Sequence, residues 1–308
     1  MDKLIEKIIQ TQNPSVVGLD TDFAYLPDEM RAGVTDFEGA AKAIVAFNKA
    51  IVDEIADVVP AVKVQIAYYE MYGVHGMQAF LETCAYAKSK GMVVIADAKR
   101  NDIGSTASCY AKAFLGKTPV EGQLYAAFDA DMLTVNGYLG TDGIAPFVKE
   151  LTEDSKGIFA LVKTSNPSSG ELQDLTLSDG RKVYECMGDM VAKWGEGNMG
   201  KYGYTAVGAV VGATHKEQAE ILRKRLPTVF FLIPGYGAQG GTADDLSVCF
   251  DERGLGGVVN SSRGILCAYR KDAYKGMSFA EAARAASIDM KNDILRAMQA
   301  RGIQRIGG

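Results

Sequence analysis

The sequence predicts an α/β fold in a single domain, a (β/α)8 barrel of the TIM type spanning residues 1–308. Three observations predict it. Eight short runs dominated by Val, Ile, Leu and Ala recur along the chain, the composition of strands buried on both faces. Segments of helical periodicity separate them, an alternation that gives a parallel sheet. The count of eight favours a closed barrel over an open doubly wound sheet, and no G-x-G-x-x-G follows the first run, which weakens the dinucleotide-binding form of that rival.

The opening segment, MDKLIEKIIQTQ, is too charged for a signal peptide and reads as a short amphipathic helix. The first run is Val16–Asp20 (VVGLD). An apolar stripe of Ala40, Ile44, Phe47, Ile51 and Ile55 then marks a helix. The next four runs are Ala61–Ala67 (AVKVQIA), Met92–Lys99 (MVVIADAK), Met132–Asn136 (MLTVN) and Ile158–Ser165 (IFALVKTS). The longest irregular stretch, about 166–204, comes after the fifth run. It holds LTLSDGRKVYE, a hairpin turning at Asp179-Gly180, and glycines at 188, 195, 197, 200 and 203. This stretch is expected to be an insertion at the barrel mouth and not a second domain. The sixth run, Ala206–Ala213 (AVGAVVGA), leads into Thr214-x-x-Glu217, which reads as a capping box opening a helix that carries Leu222 and Leu226. Val229–Gly235 (VFFLIPG) and Gly256–Ser261 (GGVVNS) complete the eight.

Composition narrows the function classes. Apolar residues make up 47% and charged residues 23%, enough for a full core. A net charge of −5 without a dense basic run argues against nucleic acid or an anionic membrane as partner, while a small anionic ligand needs only local positive groups. Cys84, Cys109, Cys186, Cys249 and Cys267 are scattered and never spaced C-x-x-C, as expected of reduced structural thiols in a cytoplasmic protein. Two distant histidines, His75 and His215, argue against a histidine zinc site. No apolar run approaches the roughly 18 residues of a membrane span.

The chemistry concentrates at the ends of the runs, which in a barrel line the mouth where active sites form. Side chains two apart on a strand share a face, so Asp97 and Lys99 project together, as do Lys63 and Gln65. Asp20 closes the first run, and Asp102 lies on the loop beyond Lys99. Such an array of alternating charge is either an ion-pair network stabilising the barrel top or a preorganised electrostatic site. A second cluster combines the glycine-rich Pro234-Gly-Tyr-Gly-Ala-Gln-Gly-Gly241 with Asn260-Ser-Ser-Arg-Gly264. Loops after strands seven and eight are the usual phosphate site of such barrels, and Arg263 offers bidentate donors. The plain alternative is a mobile loop and a surface arginine. A third cluster, Lys163-Thr-Ser165-Asn-Pro-Ser, either reads a polar heterocycle or caps an ordinary turn.

Together these residues resemble the orotidine 5′-phosphate decarboxylase family. DAKRNDIGST (97–106) is similar to that family's D-x-K-x-x-D signature, and IPGYGAQGG (233–241) with Arg263 is similar to its phosphate grip. Ile103, Thr106, Gln239 and Ser165 separate the match from sugar-phosphate decarboxylases that share D-x-K-x-x-D. The chain's length and its insertion resemble the longer bacterial subgroup. The resemblance implies a catalytic tetrad of Lys63, Asp97, Lys99 and Asp102. It implies a homodimer in which Asp102 and Thr106 reach into the neighbour's site. It assigns Asp20 to ribose hydroxyls, Ser165 to the pyrimidine edge, Pro234 to the base pocket, and Gln239 and Arg263 to the 5′-phosphate, with Ile103 also in the substrate site.

The implied reaction converts orotidine 5′-phosphate to UMP and CO2 in pyrimidine biosynthesis, with no cofactor and no metal. Lys99 would stabilise and then protonate a C6 carbanion. One alternative is a metal-dependent sugar-phosphate decarboxylase or epimerase on the same barrel. Others are a Schiff-base aldolase using Lys63 or Lys163, which shares a face with Ser165, and a nucleotide-binding barrel without turnover.

Overall fold

The computed structural model describes residues 1–151, 156–237 and 240–307. Among them, eight strands form a closed barrel: β1 (Ser15–Gly18), β2 (Ala61–Gln65), β3 (Val93–Arg100), β4 (Met132–Val135), β5 (Gly157–Lys163), β6 (Val207–Val211), β7 (Phe231–Ile233) and β8 (Gly257–Ser261). Each pairs in parallel with its sequence neighbours, and β1 pairs with β8 to close the ring. All eight coincide with the expected runs to within a few residues. They were legible because their residues are buried almost throughout, so each reads as an unbroken apolar segment.

Helices cover the outside. The helix Phe37–Ile55 starts where the Asp36 side chain accepts from the Gly39 N–H at 2.7 Å. Its stripe of Ala40, Ile44, Phe47, Ile51 and Ile55 is wholly buried. Phe47 stacks on Phe279 of the last helix, Phe279–Ala300, with ring centroids 4.8 Å apart. The opening segment is a helix as expected, Asp2–Thr11, burying Leu4, Ile5 and Ile8 and fastened by Lys3 to Asp131 at 2.6 Å. No helix among the described residues is long and apolar enough to cross a membrane.

Two local expectations need correction. The Thr214 capping box does not form: the Thr214 hydroxyl donates to the Ser165 carbonyl at 3.2 Å, and His215 takes the cap position of the helix Lys216–Arg225 without a side-chain bond. The turn at Asp179-Gly180 exists, with Gly180 at φ +88°, but the hairpin stops at one bridge between Thr176 and Lys182. From Val183 the chain is helical to Gly195 because Tyr184, Gly188, Val191 and Trp194 fall on one buried face. The sequence reading also missed an exposed hairpin between β3 and β4, Thr118–Val120 against Gln123–Tyr125. Glu121 and Gly122 both take positive φ at its turn, the geometry that suits the twist of a two-residue hairpin.

Candidate active site

Register aligns the charged side chains on one rim. Gly18 lies opposite Lys63 across β1 and β2, and Gln65 lies opposite Asp97 across β2 and β3. The Lys63 ammonium, 3% exposed, donates to Asp20 Oδ1 and to Asp97 Oδ2, each at 2.9 Å. Asp97 is the hub. It also accepts from Gln65 Nε2 at 2.9 Å, Thr134 Oγ1 at 2.8 Å and Lys99 Nζ at 2.7 Å. Four donors occupy its four lone-pair positions, so this carboxylate is a fixed charge and not a free base.

Burial opposes ionisation of Asp97, but the ammonium groups of Lys63 and Lys99 overcome it and hold the carboxyl far below the usual carboxylate range. Burial likewise works against the charge on Lys63, and Asp20 and Asp97 together hold its ammonium well above the ordinary lysine value. Asp97 and Lys63 are therefore held as an ion pair. Lys99 differs from Lys63 in access, for its side chain is 45% exposed and faces the cavity. Its backbone sits at φ +47°, a left-handed conformation unusual for lysine, at a register shift between Ala96 and Arg100. Its N–H donates to Thr134 Oγ1 at 3.0 Å, fixing the bend.

The array opens into a cavity of about 720 Å³. Asp20 sits on its wall and accepts from Ser262 Oγ at 2.8 Å, linking the ends of β1 and β8. Gly18 is required here because any side chain would strike the Ser262 hydroxyl. Ser165 and Pro234 line the same cavity, as does Arg263, whose guanidinium has no partner among the described residues. Gly235, at φ +104°, turns the chain away from β7 beside it. Gln239 lies outside the described residues.

Sequence reasoning left four contributors without an assigned contact. Gln65 and Thr134 complete the shell of Asp97, Ser262 orients Asp20, and Asn260 lines the cavity with a buried Oδ1 that has no partner among the described residues. Face alternation contained the first two, since Gln65 follows Lys63 by two and Thr134 lies at the centre of the fourth run.

Other expectations fare differently. Asp102 lies on the loop beyond Lys99, as expected, and does not line this chain's cavity; its carboxylate accepts from the Ile103 N–H at 2.8 Å, and Ile103 and Thr106 are exposed. Lys163 does not share the cavity face with Ser165. A register shift between Leu161 and Lys163 breaks the alternation and turns Lys163 into a buried pair with Asp174 at 2.8 Å. A Schiff base needs an approachable amine, and Lys63 and Lys163 are both buried in ion pairs. No group of three or more His, Cys, Asp and Glu placed to hold a metal ion occurs among the described residues.

Comparison with known proteins agrees with this geometry. Residues 36–275 match the model described as the orotidine 5′-phosphate decarboxylase / HUMPS family. An orotidine 5′-phosphate decarboxylase of Clostridium perfringens (strain SM101 / Type A) is 43% identical over 297 residues, covering 96% of this chain and 98% of the relative. That of Caldicellulosiruptor saccharolyticus is 43% identical over 298 residues, covering 95% and 97%. The chain belongs to the orotidine 5′-phosphate decarboxylase / HUMPS family. Among solved structures, the OMP decarboxylase of Leishmania donovani superposes with a TM-score of 0.74 at 27% identity, covering 97% of this chain and 98% of that one. A Toxoplasma gondii structure reaches 0.80 at 30% identity, covering 99% and 98%. The family barrel thus extends over nearly the whole chain, and within it Lys63, Asp97 and Lys99 meet at one rim.

Proposed function

We propose that this chain decarboxylates orotidine 5′-phosphate to UMP and CO2 without a cofactor, in pyrimidine biosynthesis in the cytoplasm. One observation carries the reading: an accessible Lys99 ammonium held against a saturated Asp97, in a cavity that also takes in the unpartnered Arg263. The bond from C6 to the carboxylate breaks, CO2 departs, and the electron pair stays on C6. That carbanion has no adjacent π system to absorb it. Stabilisation therefore falls to a preorganised positive charge, and Lys99 supplies both the charge and the proton that C6 takes up. Asp97, charged and fixed, sits near the departing carboxylate, where repulsion is relieved as CO2 leaves. Lys63 holds Asp97 and Asp20 in place.

Substrate contacts follow from the same frame. Asp20 binds ribose hydroxyls, Ser165 the pyrimidine edge, Pro234 the base, and Arg263 with Gln239 the 5′-phosphate. Grip on the remote phosphate supplies binding energy that favours the closed, water-excluding state. Asp102 and Thr106 complete the site of a partner copy in a homodimer, with Ile103 also in the substrate site. The exposure of Thr106, and the absence of Asp102 and Thr106 from this chain's own cavity lining, support that role, as do the exposed Leu124, Tyr125 and Tyr138 further along the chain.

Loss of ultraviolet absorbance on adding orotidine 5′-phosphate tests the reading. Turnover should persist in EDTA and fall at least about 10³-fold in Lys99→Ala. Turnover abolished by EDTA would instead favour a metal-dependent sugar-phosphate enzyme.

A further inference from the structure

Lys163 ends β5, is 0% exposed and takes no part in the chemistry above. Its ammonium donates to both carboxylate oxygens of Asp174, at 2.8 and 2.9 Å, and to Ser169 Oγ at 3.2 Å. The charge also lies 5.9 Å from the ring centroid of Tyr184. Ser169 is tied further to His215 Nε2 at 3.4 Å. Burial, and next the nearby Lys163 charge, holds the His215 imidazole below its ordinary value and so in the neutral form that suits this contact. Ser169 and Asp174 flank the short helix Gly170–Gln173 that follows β5, so one enclosed charge clamps this segment to the strand.

What the clamp holds is a wall of the cavity. Gln173 Oε1 accepts from the Thr164 N–H at 2.9 Å, and Gln173 Nε2 donates to Thr164 Oγ1 at 2.8 Å. Thr164 Oγ1 donates in turn to Asn166 Oδ1 at 2.6 Å. Thr164, Ser165, Asn166 and Gln173 all line the cavity. From the other side, Gly212 packs against the Ser165 backbone, where any Cβ would collide. A buried ammonium is costly unless paired, and an apolar side chain of similar volume commonly serves stability as well or better. The pair is therefore explained by the geometry it imposes.

We propose that Lys163 is a positioning residue that sets specificity for the base. Its grip on Asp174 and Ser169 fixes residues 164–174 as the polar edge against which the substrate's pyrimidine is read. This rests on the function proposed above. UMP carries the base, and ribose 5-phosphate offers only the sugar and phosphate, so the two ligands separate the base wall from the phosphate grip. In Lys163→Met, UMP affinity should fall about tenfold or more, the scale of one or two hydrogen bonds to the base, while ribose 5-phosphate affinity changes less than about twofold. Asp174→Asn breaks the clamp from its half-exposed end. It should give the same ligand-selective loss, and it keeps the test available if Lys163→Met does not fold. Equal losses for both ligands, or unchanged UMP affinity in folded variants, would overturn the assignment. A wild-type protein that binds ribose 5-phosphate but neither prefers UMP nor turns over orotidine 5′-phosphate would instead refute the function on which it rests.

Discussion

Asp97 concentrates the residue-scale physics. A carboxylate 7% exposed is stable only because two ammonium groups and two neutral donors surround it. Its folded pKa is depressed, so its stabilising contribution is complete above the unfolded value of about 4 and is lost as pH falls further toward the folded value. Asp97→Asn leaves Lys63 with Asp20 alone and should cost about 3–5 kcal/mol at neutral pH. In denaturant titrations that gap should stay constant above about pH 5 and narrow below about pH 4. A gap unchanged down to about pH 2 would show that the pairing contributes nothing. At this scale the sequence was informative where polar residues interrupt apolar strands, as at Lys63, Asp97 and Lys99. It offered the Asn260–Gly264 cluster but not the bond from Ser262 to Asp20, which depends on β1 and β8 meeting.

At the scale of elements, the bend in β3 is the feature that aims Lys99. Left-handed backbone costs a side chain with a Cβ about 1 kcal/mol, and glycine is free of that penalty. Lys99→Gly should therefore be more stable than Lys99→Ala by about 1 kcal/mol, as read by thermal unfolding, though both lose turnover alike. Equal stability would mean that the φ of +47° carries no strain. The strands themselves were legible because two-sided burial leaves a signature no loop shares. The segment after β5 was not. A turn signal at Asp179-Gly180 suggested two strands, but the residues that follow bury a helical face, and tertiary packing overrode the local pattern. Thr214 shows the same competition on a smaller scale, its hydroxyl committed to the Ser165 carbonyl and not to its own helix.

For the molecule as a whole, the proposed exchange of Asp102 and Thr106 between copies has a direct test. Lys99→Ala and Asp102→Ala should each be nearly inactive alone. Unfolded together and refolded, they should recover up to about a quarter of wild-type activity, because half the dimers are mixed and each mixed dimer holds one intact site. No recovery would place Asp102 in its own chain's site or outside the chemistry. Strand periodicity records no neighbour, so the exchange between copies entered the sequence reading only through the family resemblance. The ring itself imposes one more condition. Asp20 and Ser262, whose side chains meet beside the cavity, are 242 positions apart, and β1 finds β8 only when the last strand exists. Lys63, Asp97 and Lys99 therefore leave the ribosome well before the strand that closes the ring around them.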